Sequence, residues 1–358
     1  MGTFAAEVDM DPADLSLADK QSLCGKYNNI LLKNRKIQTS DVRYGDSAGN
    51  IIFANSEGSF IVQCVKFCGI SLMALAKDGM NVQRAFDSVG DLRGYRKVLG
   101  LEEMCEGIVK KALDLLSAKP VKGGKYTVVI DPKLSGVFAH EAFGHLSEAD
   151  FIHENERMKE IMVLGRRFGR DYLSIVDDGS MAGEAGYIAY DSEGTASRKT
   201  YLIKDGILVG RLHSRETAAK LGEAPTGNAR ALGYSHMPIV RMTNTYMEPR
   251  NSNLDDMLQD INSGIYAIGA VGGMTNAEMF TFSAEEAFEI RKGKLGRKLR
   301  DVVLTGNVFE TLANIDAIGD DLEMYGGLGG CGKGGQSPLR VSTGGPHVRI
   351  RNVVVGGR

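Results

Sequence analysis

The residues best equipped for chemistry are in Ser135-Gly-Val-Phe-Ala-His140-Glu141-Ala-Phe-Gly144-His145, where two histidines and a glutamate fall within six positions of a chain that has only six histidines. Imidazole is the commonest protein ligand for zinc, and a carboxylate beside it can take a proton from water held by such an ion. The spacing is H-E-x-x-x-H, one residue longer than the H-E-x-x-H of helical zinc proteases. At roughly 100° per residue, five residues turn the second ring about 140° from the first on a regular α-helix. A shared ligand would therefore require a π-bulge, or a helix loosened at Gly144, between His140 and His145. The bland alternative is a helix end with solvated polar groups. Glu148, Asp150, His153, Glu154 and Glu156 follow closely, and either Glu148 or Asp150 could add a ligand.

A lone thiol stands out much later, in Gly326-Gly327-Leu328-Gly329-Gly330-Cys331-Gly332-Lys333-Gly334-Gly335-Gln336. Glycines allow positive φ and close backbone approach, as a loop delivering one thiolate to a metal would need. A phosphate loop does not fit, since no Gly-Lys-Ser/Thr opens a helix there. The bland reading is a flexible loop with an inert cysteine.

The elements that position these residues follow from periodicity. Ser16 and Asp19 form a capping-box pattern, and Leu23, Cys24, Tyr27, Ile30 and Leu31 continue at helical spacing. Ile51–Asn55, Phe60–Lys66 and Ile70–Lys77 read as an antiparallel meander, with Met80–Ser88 as a fourth strand. Residues 101–117 read as an amphipathic helix. Cys64 and Cys68 lie in a strand-like run and are expected to be small core residues, and an odd total of five cysteines argues against a disulfide framework. Pro120 and Gly123-Gly124 mark a boundary. Beyond it, Tyr126–Ile130 is a strand leading through Asp131-Pro132 into the His-Glu helix. The remainder is mostly strand: Lys204-Asp205-Gly206 and Lys292-Gly293 signal hairpins, and Val240–Tyr246 reads as a polar strand facing a site. The fold class is α+β: an N-terminal two-layer α/β meander domain over residues 1–120, then a mostly antiparallel β domain over 121–358 carrying the metal-site helix.

Composition is that of an ordinary soluble chain of 358 residues, 43% hydrophobic and 25% charged. A formal net charge of −2 supplies no basic field for nucleic acid, and no apolar run reaches membrane-spanning length. The N-terminus lacks the features of a signal peptide, and a cytoplasmic location is expected.

Together, His140-Glu141-x-x-x-His145-x-x-Glu148-x-Asp150, Pro225-Thr226-Gly227-Asn228, Arg241-Met242-Thr243-Asn244-Thr245, Phe280-x-Phe282-Ser283-Ala284 and Cys331-Gly332-Lys333-x-Gly335-Gln336 resemble the TldD/PmbA family, over nearly all of residues 14–358. The His-Glu-His motif places the resemblance with the TldD branch. It implies a metallopeptidase acting on unfolded peptides, with one Zn²⁺ per chain (iron being the alternative) held by His140, His145 and Cys331, and Glu141 as the catalytic carboxylate. It also implies a dimer, either homotypic or with a PmbA/TldE-like subunit. Compared with the family pattern the chain begins partway through the N-terminal domain, which implies a shortened first domain. Arg230, His236 and Asn244 are expected to contact substrate, with Tyr234 a further oxyanion candidate. A non-catalytic peptide-binding or assembly subunit is the rival reading.

Overall fold

The computed structural model describes residues 2–5 and 7–357 and divides into two compact units. The first comprises Met1–Ala118, Met181–Ala189 and Gly326–Arg340, and the second comprises Lys119–Ser180, Tyr190–Tyr325 and Val341–Arg358.

The first unit is built on a sheet of β1 (Gly2–Ala5), β2 (Ile37–Ala54), β3 (Phe60–Asp78) and β4 (Asn81–Asp91), with β3 hydrogen-bonded to the other three. The two runs expected as separate strands, Phe60–Lys66 and Ile70–Lys77, are one strand of 19 residues. Gly69 joins them without a turn: a Cβ there would meet the Val89 carbonyl oxygen at 3.0 Å and Gly90 Cα at 3.2 Å, so the small residue lets β4 lie close alongside. Two helices cover this sheet, α1 (Leu17–Leu31) and α2 (Glu102–Ser117). Ser16 and Asp19 close the expected capping box. Leu23, Tyr27 and Leu31, four apart, are the buried stripe of α1, and the Tyr27 hydroxyl donates to the Val98 carbonyl at 2.7 Å. Cys68 and Cys105 belong to the same core.

The 326–340 segment docks within this unit. Leu328 packs against Phe67, its N–H donates to Ser88 Oγ at 2.9 Å, and the Arg340 guanidinium lies 4.0 Å over the Phe67 ring. Part of the glycine-rich stretch is thus ordered hairpin, Cys331–Lys333 paired with Gln336–Leu339.

The second unit has a ten-stranded sheet centred on Val348–Gly356, β5 (Gly124–Ile130) and Ser263–Ile268. A second sheet places β6 (Ile175–Asp178) beside β7 (Asn244–Met247), which in turn pairs with β8 (Ser342–Gly345). Asp205 and Gly206 have φ of 50° and 78° at the tip of the expected hairpin, as do Lys292 and Gly293 at 49° and 75°. The expected strand over Val240–Tyr246 is interrupted: Ile239–Val240 and β7 are strands, while residues 241–243 are not. There the Thr243 N–H donates to the Asp177 carboxylate rather than to a neighbouring strand. Among the described residues no helix is long and apolar enough to cross a membrane.

Candidate metal centre

Strand β5 delivers the chain to Asp131, whose carboxylate accepts the N–H groups of Leu134 at 2.9 Å and Gly269 at 3.0 Å. That cap and Pro132 start α3 (Pro132–Phe138). Helix α3 touches both sheets of the second unit. Phe138 meets Phe280 and Phe282 edge-on at 5.6 and 5.8 Å. On β8, a Cβ at Gly136 would lie 2.6 Å from the Gly344 nitrogen, so only glycine allows this approach. Ser135 Oγ adds a hydrogen bond to the Pro346 carbonyl at 2.7 Å.

From α3 the chain passes directly into a π-helical turn, Ala139–Gly144, and then a 3₁₀ turn, His145–Ser147. The His145 N–H donates to the His140 carbonyl, an i→i+5 bond. This is the distortion that the five-residue spacing demands. It brings the two imidazoles to 5.3 Å between ring centroids at an 84° interplanar angle. Glu141 Oε2 lies 3.5 Å from His145 Nε2. The ligand atoms that His140, Glu141 and His145 can offer lie within 4.8 Å of one another.

Burial sets the protonation of the group. His140 is buried, and desolvation holds its pKa well below the usual imidazole range, helped by the charges of His145, Arg241 and Arg230. It is therefore a neutral ring, the form that binds metals. Its Nδ1 is buried without a hydrogen-bond partner, a condition few native polar atoms tolerate. Burial also raises the pKa of Glu141, against the opposing charges of His145 and Arg241. Two imidazoles beside a carboxylate suit a borderline-soft divalent ion such as zinc.

The other expected residues have distinct surroundings. Arg230 is buried and donates to the Met242 carbonyl at 2.6 Å. Asn244 is fully buried and its amide donates to the Asp178 carbonyl at 2.7 Å, a bond that holds backbone. His236 is exposed, as are Tyr234 and Met237 in the same loop. Asp150 accepts the Val240 N–H at 3.3 Å. Cys331 lies in the first unit, half-buried, opposite Leu339 in its hairpin. Gly334 and Gly335 turn that hairpin with φ of 57° and 78°, and a Cβ at Gly330 would sit 2.4 Å from the Leu339 carbonyl oxygen.

The role of Arg241 was not legible in the sequence. Its guanidinium is fully buried against Glu148, which the i,i+3 spacing from His145 could have flagged. Asp177 was missed as well. It is completely buried and accepts from Asn228 Nδ2, the Thr243 N–H, Thr243 Oγ1 and Thr245 Oγ1 at 2.6 to 2.9 Å.

Two family models match the chain. Residues 11–119 match the PmbA/TldA metallopeptidase central domain, and residues 123–357 match the C-terminal domain of the same family. A Synechocystis metalloprotease is 51% identical over 97% of this chain and 75% of its own length. The chain belongs to the TldD/PmbA family of metallopeptidases. Within that family, a Saccharolobus solfataricus protein named as a zinc metalloprotease and TldD homolog is 31% identical over 90% of this chain and 72% of its own length. Two solved structures share the TldD/PmbA-type fold at low identity. A Thermotoga maritima protein named as a modulator of DNA gyrase has a TM-score of 0.80 at 20% identity, covering 98% of this chain and 77% of its own. TldE from Thermococcus kodakarensis has a TM-score of 0.73 at 19% identity, with the same two coverages.

Proposed function

We propose that the chain is a zinc-dependent peptidase that hydrolyses unfolded peptides, with His140, His145 and Cys331 as ligands and Glu141 as the general base. The observation that carries this reading is the π-turn that brings His140 and His145 together beside Glu141, with His140 neutral and its Nδ1 unpartnered. Support for zinc comes from the donor set and from the name of the Saccharolobus relative. Support for Cys331 comes from its match to the family motif and from the glycines flanking it.

The bound ion would contribute Lewis acidity toward water and a scissile carbonyl. Glu141 takes the proton from the attacking water and returns it to the leaving amine. Its raised pKa suits the base half of that cycle, because a carboxylate whose proton is held more firmly takes one from water more readily than an exposed carboxylate does. His140 and His145, fixed by the π-turn, hold the reacting geometry. The buried Arg230 and Arg241 lend positive charge to the surroundings of His140, which favours anionic groups nearby. A peptide held by its backbone along the 240–245 segment would be read loosely in its side chains. Arg230 and His236 remain the proposed substrate contacts, whereas Asn244, fully buried with its amide on the Asp178 carbonyl, offers a peptide no exposed surface.

The proposed companion is a second TldD/PmbA-type subunit, either another copy of this chain or a TldE-like partner, with the likeness to TldE in support. The proposed working division is residues 1–120 and 121–358, in the cytoplasm.

Elemental analysis of the purified chain, before and after reconstitution with zinc, tests the reading. About one zinc per chain, together with hydrolysis of an unfolded peptide that stops on chelation and resumes on zinc addition, is the expected result. A chain that takes up no metal after reconstitution refutes the peptidase reading and favours a peptide-binding subunit.

A further inference from the structure

Glu148 and Arg241 are buried more deeply than His145 or Glu141, at 2% and 1% exposure, and the mechanism above gives Glu148 no task. The Arg241 Nη1–H donates to Glu148 Oε1 at 2.9 Å. The other oxygen, Oε2, lies 3.5 Å from His145 Nδ1. A buried ion pair is a weak source of stability, since desolvation cancels most of the attraction, so its presence here calls for another explanation.

The pair is anchored from behind. The Arg241 N–H donates to the Asn228 carbonyl at 2.9 Å, and Asn228 Nδ2 returns a bond to the Arg241 carbonyl at 3.0 Å. The same Nδ2 donates to Asp177 Oδ2 at 2.9 Å, and Asp177 also holds Thr243 and Thr245. The backbone carrying Arg241 is thus pinned by one backbone bond and by side-chain bonds where the strand is interrupted.

We propose that Glu148 and Arg241 are a positioning pair for His145. The guanidinium fixes the carboxylate, and the carboxylate takes the Nδ1–H side of the ring. Nε2, which lies toward Glu141, is left as the lone pair that faces the centre. Carboxylate partners of this kind set the tautomer and orientation of metal-binding histidines. With one oxygen engaged by Arg241, Glu148 is a support for a ligand and not a ligand. This inference rests on the metal-centre reading.

The test measures zinc affinity of the full-length chain by chelator competition, first on the wild type. Glu148→Gln should weaken zinc binding about 10- to 100-fold. Because loss of one charge from a buried pair can unfold the chain, Glu148→Met/Arg241→Met is measured beside it. That double variant should keep wild-type thermal stability, still bind zinc about 10- to 100-fold more weakly, and show an altered visible spectrum when loaded with Co²⁺. Glu148→Asp, which keeps the charge, should recover part of the affinity. Wild-type affinity in Glu148→Gln, or recovery of both stability and affinity in the double variant, overturns the positioning role. A wild type that binds no zinc refutes the metal centre itself, a result visible before any variant is compared.

Discussion

Replacing Gly136 by alanine tests whether α3 is held in place by its contact with β8. The new Cβ would lie 2.6 Å from the Gly344 nitrogen, 2.9 Å from its Cα and 3.0 Å from its carbonyl carbon. All three are backbone atoms, so no side chain can rotate away. Reaching an ordinary contact of about 3.4 Å requires α3 and β8 to part by about 0.8 Å. Overpacking of this kind costs about 1–3 kcal/mol, which outweighs the roughly 0.5–1 kcal/mol that alanine gains over glycine in a helix. Gly107, on the exposed face of α2, is the matched control: a Cβ there meets nothing within 4 Å. Gly107→Ala should therefore raise the melting temperature by about 1–4 °C, while Gly136→Ala lowers it by several degrees. Scanning calorimetry on both variants, with zinc content measured in parallel, gives the comparison. His140 lies four residues beyond Gly136, so the displaced helix should also hold zinc more weakly. A Gly136→Ala chain as stable as the wild type would mean that α3 is not clamped against β8, and that the π-turn is held by something else.

Glu141→Gln should retain zinc by elemental analysis but lose peptide hydrolysis by at least 100-fold, and residual hydrolysis near the wild-type rate would remove Glu141 from the role of base. Cys331→Ser should lower zinc content sharply; unchanged content would point to a carboxylate as third ligand. Burial pushes the thiols of Cys68 and Cys105 up to about 11, so at pH 8 only about one part in a thousand of each is thiolate. Iodoacetamide at that pH should modify the native chain at no more than the three half-buried cysteines, Cys24, Cys64 and Cys331, and all five after denaturation. Zinc should protect Cys331 specifically, as read by peptide mapping. Since the folded state keeps protons on Cys68 and Cys105 that the unfolded state releases above about pH 9, stability should fall as pH rises from about 9 to 11. A flat denaturation midpoint across that window would contradict the raised values.

Much of this protein is legible locally because the determining forces are local. The Ser16–Asp19 box, the 23-27-31 stripe and the Asp205-Gly206 turn each depend on residues within a few positions of one another, and all three are found in the structure. The π-turn was legible for the same reason: helix geometry alone keeps two rings five residues apart from sharing a ligand, so a common centre requires the extra residue to be absorbed. Other features were settled only by distant partners. Gly69 could have marked a turn, and the close approach of β4 made it the middle of a long strand. The 240–246 run has strand composition throughout, but a carboxylate on β6, 66 residues away from Thr243, takes that residue's N–H and breaks the ladder. Glu148 looked like a member of an exposed acidic cluster or a spare ligand. Its character was decided by Arg241, 93 residues further along, because a charge can be buried only where the fold supplies its counter-charge.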